Sequence, residues 1–480
     1  MSNSYAPLRA ESFRLLKRSG LEKIETGVYE ILERVGMKLT DRESRESLAG
    51  AGAEIDGDRA YLPEGLVREA IESAPDSLEI YDQSGSRALS LAGRNSYFGA
   101  SIDGPNILDP RDGTYKDCRE DDIGRIVRLV DKLENISFLM PAGFAADKPS
   151  RMAEIVATKQ VLLNTDKPFV AITEGLDDLK AVHEMAEAKR GKPFRDKPFF
   201  VNYAEPISPL VNPDSSVRKI RYCAEKGIPL LYSPFLAMGA TAPQDPATAV
   251  AQAAAESLFG LVLQQEISPG APFVLGGMPS MMDMNTANFS YGAPDLQTMS
   301  SAITELGHEL GLPVFGTGGT GDSRLFDSQA VLEAVSSSYM AALSGTNLIH
   351  DVGLFGSAKV LIPEMIVVMD EIIDLLRNTV TGLKSKDGLA VDLLEEVGPG
   401  GEFVSHRHTM ENFRESWYPR FVDRSPYNNQ KAGEISSFCD RIEAYLSEFI
   451  EQDEGKPAAA SEEIASNLGR IQDKYASRKK

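Results

Sequence analysis

From about Ser137 onward, hydrophobic and polar positions follow a rhythm. A short apolar run ends in Gly, Pro or a polar cluster, and a longer segment with helical spacing follows. The runs are Phe138-Leu139-Met140, Phe169-Val170-Ala171-Ile172, Phe199-Phe200-Val201-Asn202, Pro229-Leu230-Leu231-Tyr232, Phe273-Val274-Leu275, Pro313-Val314-Phe315 and Asn347-Leu348-Ile349. Predicted helices between them include Met152 to Asn164, Pro246 to Glu266 and Asp327 to Leu343. Strands alternating with helices build parallel βαβ units. Seven such units, at roughly 30–40 residues each, favour a closed α/β barrel of the (β/α)8 (TIM barrel) class over a doubly wound sheet. Two segments compete for the eighth strand: Ser96 to Ser101 before the run, and Glu402 to Ser405 after it.

The flanks read differently. Ser12 to Val35 carries Phe13, Leu16, Leu21, Ile24, Val28, Ile31 and Leu32 at near-helical spacing, and a second helix runs from Glu64 to Ser73. Asp56-Gly57-Asp58 is a turn signal between two short extended pieces, and Leu78 to Ala100 reads as strands and turns. Met410 to Lys480 reads as helices with a charged tail. The expected organisation is a mainly helical extension with a small β element at 1–95, a barrel core at 96–409 and C-terminal helices at 410–480.

Composition narrows the function. Of 480 residues, 42% are hydrophobic and 25% charged, which excludes disorder as the main state. Three cysteines, Cys118, Cys223 and Cys439, are odd in number and far apart, which excludes a disulfide scaffold. The net charge of −21 argues against nucleic acid and anionic lipid as partners. No run of roughly 18 apolar residues is visible, and the first residues carry no apolar stretch before a cleavage site, so a cytoplasmic protein without a membrane span is expected.

In a barrel, chemistry lies where strands run into the following loops. Phe144, Tyr203, Tyr232, Phe235, Phe289 and Phe355 stand at or near those ends. A ring of aromatic faces suits a quaternary ammonium, which has no N–H to donate; ordinary rim packing is the competing reading. Gly316, Gly318, Gly319 and Gly321 form a glycine-rich loop that lets a bulky planar ligand approach the backbone, or is simply a flexible loop. The match to G-x-G-x-x-G lacks the context of a dinucleotide fold. His350-Asp351 closes the last apolar run, and such a histidine holds an anion, acts as a base or serves structure. His406 and His408, near Glu402 and Glu411, have spacing for metal on a strand, but no third ligand stands nearby, so no metal is expected. No nucleophile elbow, phosphate loop or H-E-x-x-H motif occurs.

Several pieces, in order along the chain, carry a resemblance. They are Leu48-Ala49-Gly50-Ala51-Gly52-Ala53, Leu62-Pro63 and Ala74-Pro75, then Arg111-Asp112-Gly113-Thr114-Tyr115-Lys116-Asp117 and Glu205-Pro206-Ile207-Ser208-Pro209-Leu210. Asp327-Ser328-Gln329-Ala330, Ser344 to Gly353, and His408-Thr409-Met410-Glu411-Asn412-Phe413-Arg414 with Trp417 and Pro419 complete the set. With these the chain resembles the trimethylamine methyltransferase superfamily, specifically its members without pyrrolysine. The resemblance implies a (β/α)8 barrel that moves a methyl group from an amine to the cobalt of a corrinoid (cobalamin) carried by a separate partner protein, with no tightly bound cofactor of its own. In the trimethylamine enzyme a pyrrolysine supports that reaction; the corresponding position here falls near Gln329 to Glu333, and this chain contains only standard residues. The pyrrolysine-free relatives use quaternary amines, so glycine betaine, giving dimethylglycine, is the favoured substrate. Proline betaine, carnitine and γ-butyrobetaine are alternatives.

On this reading His350, Asp351 and Glu205 are the candidate catalytic residues. Phe144, Tyr203, Tyr232, Phe235, Phe289, Arg324 and Phe355 bind substrate, and the glycine loop meets the corrin. A betaine carboxylate needs a cation or N–H donors, for which His350 and Arg324 are candidates. Homo-oligomerisation is expected. A non-catalytic betaine-binding or sensing barrel, and a metal-dependent barrel enzyme of other chemistry, are the readings from different classes.

Overall fold

A computed structural model describes residues 5–10, 13–383, 388–427 and 434–478. Eight parallel strands form one sheet: β1 (Tyr97–Ser101), β2 (Ile136–Met140), β3 (Phe169–Ile172), β4 (Phe200–Ala204), β5 (Leu230–Tyr232), β6 (Phe273–Leu275), β7 (Phe315–Thr317) and β8 (Leu348–Val352). Their spatial order is β6-β5-β4-β3-β2-β1-β8-β7. The two edges meet where Leu275 bridges Val314 in parallel and the Leu275 amide donates to the Pro313 carbonyl at 2.8 Å. The sheet is a barrel. Of the two candidates for the eighth strand, the one before the run is correct; Glu402 to Ser405 contains no strand.

A helix follows each strand: α1 (Glu120–Lys132), α2 (Ala153–Asn164), α3 (Leu176–Arg190), α4 (Asp214–Lys226), α5 (Pro246–Ile267), α6 (Pro294–Glu309), α7 (Ser328–Ser344) and α8 (Pro363–Val380). Local chemistry sets their ends. The Asp245 and Asp327 side chains accept from the amides of Thr248 and Ala330 and cap α5 and α7. Gly191, Gly227 and Gly345 close α3, α4 and α7 in the left-handed conformation.

Alternation along the strands divides two cores. Phe138, Met140, Val170, Val201, Leu231, Val274, Phe315 and Leu348 point inward and fill the barrel. Their neighbours Leu139, Phe169, Phe200, Leu230, Tyr232, Phe273 and Ile349 point outward to the helices. Gly99 of β1 has no side chain because the Phe138 ring occupies the place a Cβ would take. A hairpin, Ser77–Tyr81 with Arg87–Ala92, adds Leu78, Ile80, Leu89 and Leu91 to the inner core. It docks at the strands' starts, where Tyr81 donates to the Pro198 carbonyl and Gln83 to that of Asp166. The bottom is therefore plugged and only the C-terminal mouth is available.

The 22 residues of α5 are long and apolar enough to cross a membrane by length and composition alone, and 83% of the apolar window is buried inside the fold. The helix packs against α4, α6 and the N-terminal helices Arg18–Glu30 and Glu64–Ser73. The first of these starts at Arg18; Ser12 lies outside the described residues. A small sheet of Met37–Leu39, Glu54–Asp56 and Arg59–Tyr61 gains a fourth strand, Val211–Asn212, from the loop after β4. The C-terminal helices Phe438–Asp453 and Glu462–Arg478 pack on α8 and on α2 and α3; Lys480 lies outside the described residues.

Glu364, in the first turn of α8, is buried, and its Oε2 has no hydrogen-bond partner among the described residues. Burial pushes its carboxyl up to about 7, with the charges of Glu443 and Asp109 adding to the effect. Between the ordinary glutamate range and that value the folded chain holds a proton the unfolded chain has released. Stability therefore falls as pH rises through this window, and the loss persists above it. Glu364→Gln is expected to stabilise the protein by about 1–2 kcal/mol more at pH 8 than at pH 5.5, measured by urea denaturation. Gly99→Ala is expected to cost about 1–3 kcal/mol in the same measurement, because the new methyl group overlaps the Phe138 ring.

Candidate active site

Three strands send aromatic side chains into the mouth. Tyr203 of β4 lies 6.2 Å from Phe315 of β7, and Phe315 stacks on the His350 ring of β8 at 4.1 Å with 24° between planes. The loop after β6 adds Phe289 and Tyr291, 5.2 Å apart, and Phe235 from the loop after β5 lies 4.0 Å from Phe289. The Tyr203 hydroxyl donates to Glu205 at 2.8 Å and lies 3.2 Å from the Ser233 carbonyl. Burial pushes the hydroxyls of Tyr203 and Tyr291 well above their ordinary range, and the nearby charges of Glu205 and Asp351 push the same way. Both remain neutral phenols at working pH.

His350 sits between two acceptors. Nδ1 is 2.7 Å from the Gly316 carbonyl, and Nε2 is 3.0 Å from Asp351, which also accepts from the Thr317 hydroxyl at 2.9 Å. Adjacent side chains on a strand normally face opposite ways. They meet here because Asp351 has a φ of 76°, a left-handed conformation costly for a residue with a Cβ.

Two carboxylates, Asp103 buried and Asp322 half-buried, shape the loops around this group. Asp103, just beyond β1, accepts from the amides of Ala142, Gly143 and Phe144 at 2.7, 2.7 and 2.8 Å. Burial raises its carboxyl above the ordinary range while these amides pull it back. Asp322 accepts from the Tyr291 and Gly292 amides at 2.8 and 3.0 Å, from the Ser357 hydroxyl at 3.2 Å and from the Ser290 hydroxyl. Glu333 in turn takes the amides of Asp322 and Ser323 at 2.8 and 3.0 Å. The chain Glu333, Asp322, Tyr291 thus ties α7 to the aromatic wall.

A profile of the trimethylamine methyltransferase (MTTB) family matches residues 3–467. The chain belongs to the trimethylamine methyltransferase family. It is 28% identical over 470 residues to trimethylamine methyltransferase MttB of Desulfitobacterium hafniense (strain DSM 10664 / DCB-2), covering 96% of this chain and 94% of that one. It is 27% identical over 425 residues to a glycine betaine methyltransferase of Desulfitobacterium hafniense (strain Y51), covering 87% and 88%. Among solved structures, the hydroxylamine complex of MtmB superposes with a TM-score of 0.50 at 8% identity, over 96% of this chain and 89% of that chain. This last likeness concerns the fold, a (β/α)8 barrel.

Within this family member, the predicted site residues divide. Tyr203, Glu205, His350 and Asp351 converge at the mouth, with Phe235 and Phe289 on its wall. Tyr232 turns away: it is the outward residue of β5, buried against Gly260, and its hydroxyl donates to Asn212. Phe355 is fully buried and also belongs to the outer core. Phe144 is exposed on the loop after β2 and stacks on none of the other rings. Arg324 lies exposed at the rim rather than in the aromatic group. The glycine loop is packed, not open: side chains added at Gly316, Gly318, Gly319 and Gly321 would meet Thr346, Ile349, Val352 and Glu333. The Gly318 and Gly319 amides already donate to the His350 carbonyl and the Ser337 hydroxyl. Gln329 to Glu333 form the first turns of α7, and His406 and His408 lie at the start of a short helix, Arg407–Asn412, rather than on a strand.

Tyr291, Phe315, Thr317, Asp322 and Asp103 are site residues that motif reading passes over. Phe315 was available from period two, since it alternates with the outward Val314. Tyr291 stands two residues from Phe289, the spacing that puts both rings on one side of extended chain. Asp322→Ala removes the common acceptor for four donors, leaving buried N–H groups that cost about 1–3 kcal/mol each. Amide exchange in residues 283–293 is expected to rise at least tenfold while the barrel strands keep their protection, read by hydrogen–deuterium exchange mass spectrometry.

Proposed function

We propose that this family member, acting in the cytoplasm, transfers an N-methyl group from a quaternary amine to the Co(I) of a corrinoid held by a partner protein. Glycine betaine is the reference substrate and dimethylglycine its product. The observation that carries the reading is the convergence of Tyr203, Tyr291 and the stacked Phe315–His350 pair at the mouth of a barrel in this family. Aromatic faces bind a cation that has no N–H, and such a contact is worth about 2 kcal/mol or more when desolvated. The rings, and the Glu205 carboxylate that accepts from the Tyr203 hydroxyl, supply the attraction. A site that holds the ground-state cation too strongly loses rate as charge leaves the nitrogen.

The leaving group is already a neutral amine and needs no proton. When docked, the corrinoid supplies the nucleophile. What this chain does is hold one methyl group in line at the mouth, orient the remaining substituents and exclude water. The rim fits a large planar partner: Phe144, Ile207, Phe235, Met284 and Leu325 expose apolar surface on five different strand-end loops. The lack of pyrrolysine favours a quaternary amine over trimethylamine. The two curated relatives are about equally similar, so the panel includes both amine types.

The test is methylation of reduced cob(I)alamin by the purified protein, followed by its absorbance, with trimethylamine and a series of betaines. Activity with a betaine and none with trimethylamine is expected; the reverse overturns the substrate class. Tyr203→Ala and His350→Ala are each expected to lower transfer at least tenfold with unchanged circular dichroism, while Tyr203→Phe, which keeps the ring, retains most of it. Full activity in both alanine variants overturns the residue assignment.

A further inference from the structure

At the edge of the mouth, the loops after β6, β7 and β8 enclose a cavity of about 570 Å³. Its charged lining is Asp283, Asp322, Arg324 and Lys359. Both acids are committed within the fold. Asp283 accepts from the amides of Asn285 and Thr286 at 2.8 and 2.9 Å, and Asp322 holds the four donors described above. Both bases are uncommitted. Among the described residues neither forms an ion pair, and Lys359 makes only a long contact, 3.3 Å, to the Asn288 side-chain oxygen. The chain carries 71 acidic against 50 basic residues, so leaving two cations unpaired on one cavity runs against its overall balance.

The backbone of Arg324 is anchored at the cavity's edge, and its side chain is exposed. The Tyr115 hydroxyl donates to the Arg324 backbone carbonyl at 2.6 Å, tying the loop after β7 to the hairpin Asn106–Leu108/Tyr115–Asp117. Gly356 lies under the Arg324 side chain, where a Cβ would stand 3.3 Å from its Cγ. Phe289 is shared: it lines the cavity and packs on Tyr291 of the aromatic wall.

We propose that Arg324 and Lys359 form an anion subsite that takes the carboxylate of a zwitterionic quaternary amine whose ammonium group lies on the aromatic side of Phe289. This rests on the quaternary-amine reading and makes it specific. Arg324 offers a planar fork that matches a carboxylate, and Lys359 adds a point charge. A bare tetraalkylammonium gains nothing from the subsite and is repelled by it. The loops after β6, β7 and β8 thereby select amines by their acid group, while the rings of β4, β7 and β8 handle the methyl-bearing end.

The experiment compares wild type, Arg324→Gln and Lys359→Met with a betaine series of increasing spacer length and with tetramethylammonium. In each variant the ratio of KM for the best betaine to KM for tetramethylammonium is expected to rise at least tenfold, with the change in KM rather than kcat. Arg324→Lys and Lys359→Arg are expected to restore most of the selectivity. A ratio unchanged in both neutralising variants overturns the subsite. Calorimetric binding of the betaines, of tetramethylammonium and of acetate, without corrinoid, separates the two readings. Betaine binding that falls tenfold in the variants supports the subsite even where no amine gives methyl transfer, a result that overturns only the proposed reaction. Acetate binding as tightly as the betaines, with the same loss in the variants, overturns the zwitterion and leaves a free-anion site.

Discussion

The bridge between Leu275 and Val314 joins the sheet's two edges, and the site depends on that closure. A closed parallel sheet has one interior, and period two along each strand decides which side chains enter it. The lower interior is filled by Phe138, Val170, Val201, Leu231, Val274 and Leu348, and the hairpin at 77–92 seals it from below. Polar or reactive inward side chains are left one place to stand, the layer where the strands end. Tyr203, Thr317 and His350 occupy that layer. Closure also sets the distances. β7 and β8 are hydrogen-bonded neighbours with Thr317 opposite His350, so the Thr317–Asp351 contact follows from register.

The departures from regular structure gather at the same level. Asp351 adopts a left-handed backbone conformation, bringing its carboxylate onto the neighbouring imidazole. Asp103, buried, and Asp322, half-buried, are carboxylates that bind loop amides instead of cations. Buried carboxylates are expensive unless fully hydrogen-bonded. Here the amides meet that cost, and each aspartate fixes three consecutive loop residues or nearly so. The mouth is thus rigid where rings must keep their angle to a substrate, although most of its wall is loop.

The barrel was legible because strand and helix periods differ, and seven apolar runs at steady spacing leave few alternatives. Its eighth strand was ambiguous for a physical reason. Tyr97–Ser101 places Tyr97 in the inner core but has Gly99 as its next inward residue, so the apolar alternation that would have marked it is broken. The site was legible in part. Tyr203 and His350 were visible from their place at strand ends, but Tyr232, also at a strand end, points outward. The aromatic inventory carries no face label, and one residue of register reverses the assignment. The glycine loop misled differently: its glycines answer crowding by Thr346, Ile349, Val352 and Glu333, partners distant in sequence for which no local motif exists. Asp322 was invisible as well, since its partners lie some thirty residues away in both directions along the chain.

These features bear on how little covalent chemistry the chain itself must perform. In the proposed reaction a quaternary ammonium departs as a neutral amine, so the usual reason for poising an acid against a base is absent. His350 Nδ1 is held by the Gly316 carbonyl, Asp351 accepts from Thr317, and the imidazole lies flat on Phe315. With Nδ1 against the Gly316 carbonyl, Nε2 3.0 Å from Asp351 and one face stacked on Phe315, the imidazole has one ring face left for a ligand. That arrangement makes it a wall. It presents a π-surface on the same side of the mouth as Tyr203, with Phe315 between them. A site of this kind discriminates by shape and by where it places charge, and its selectivity lies in the loops beyond the strands.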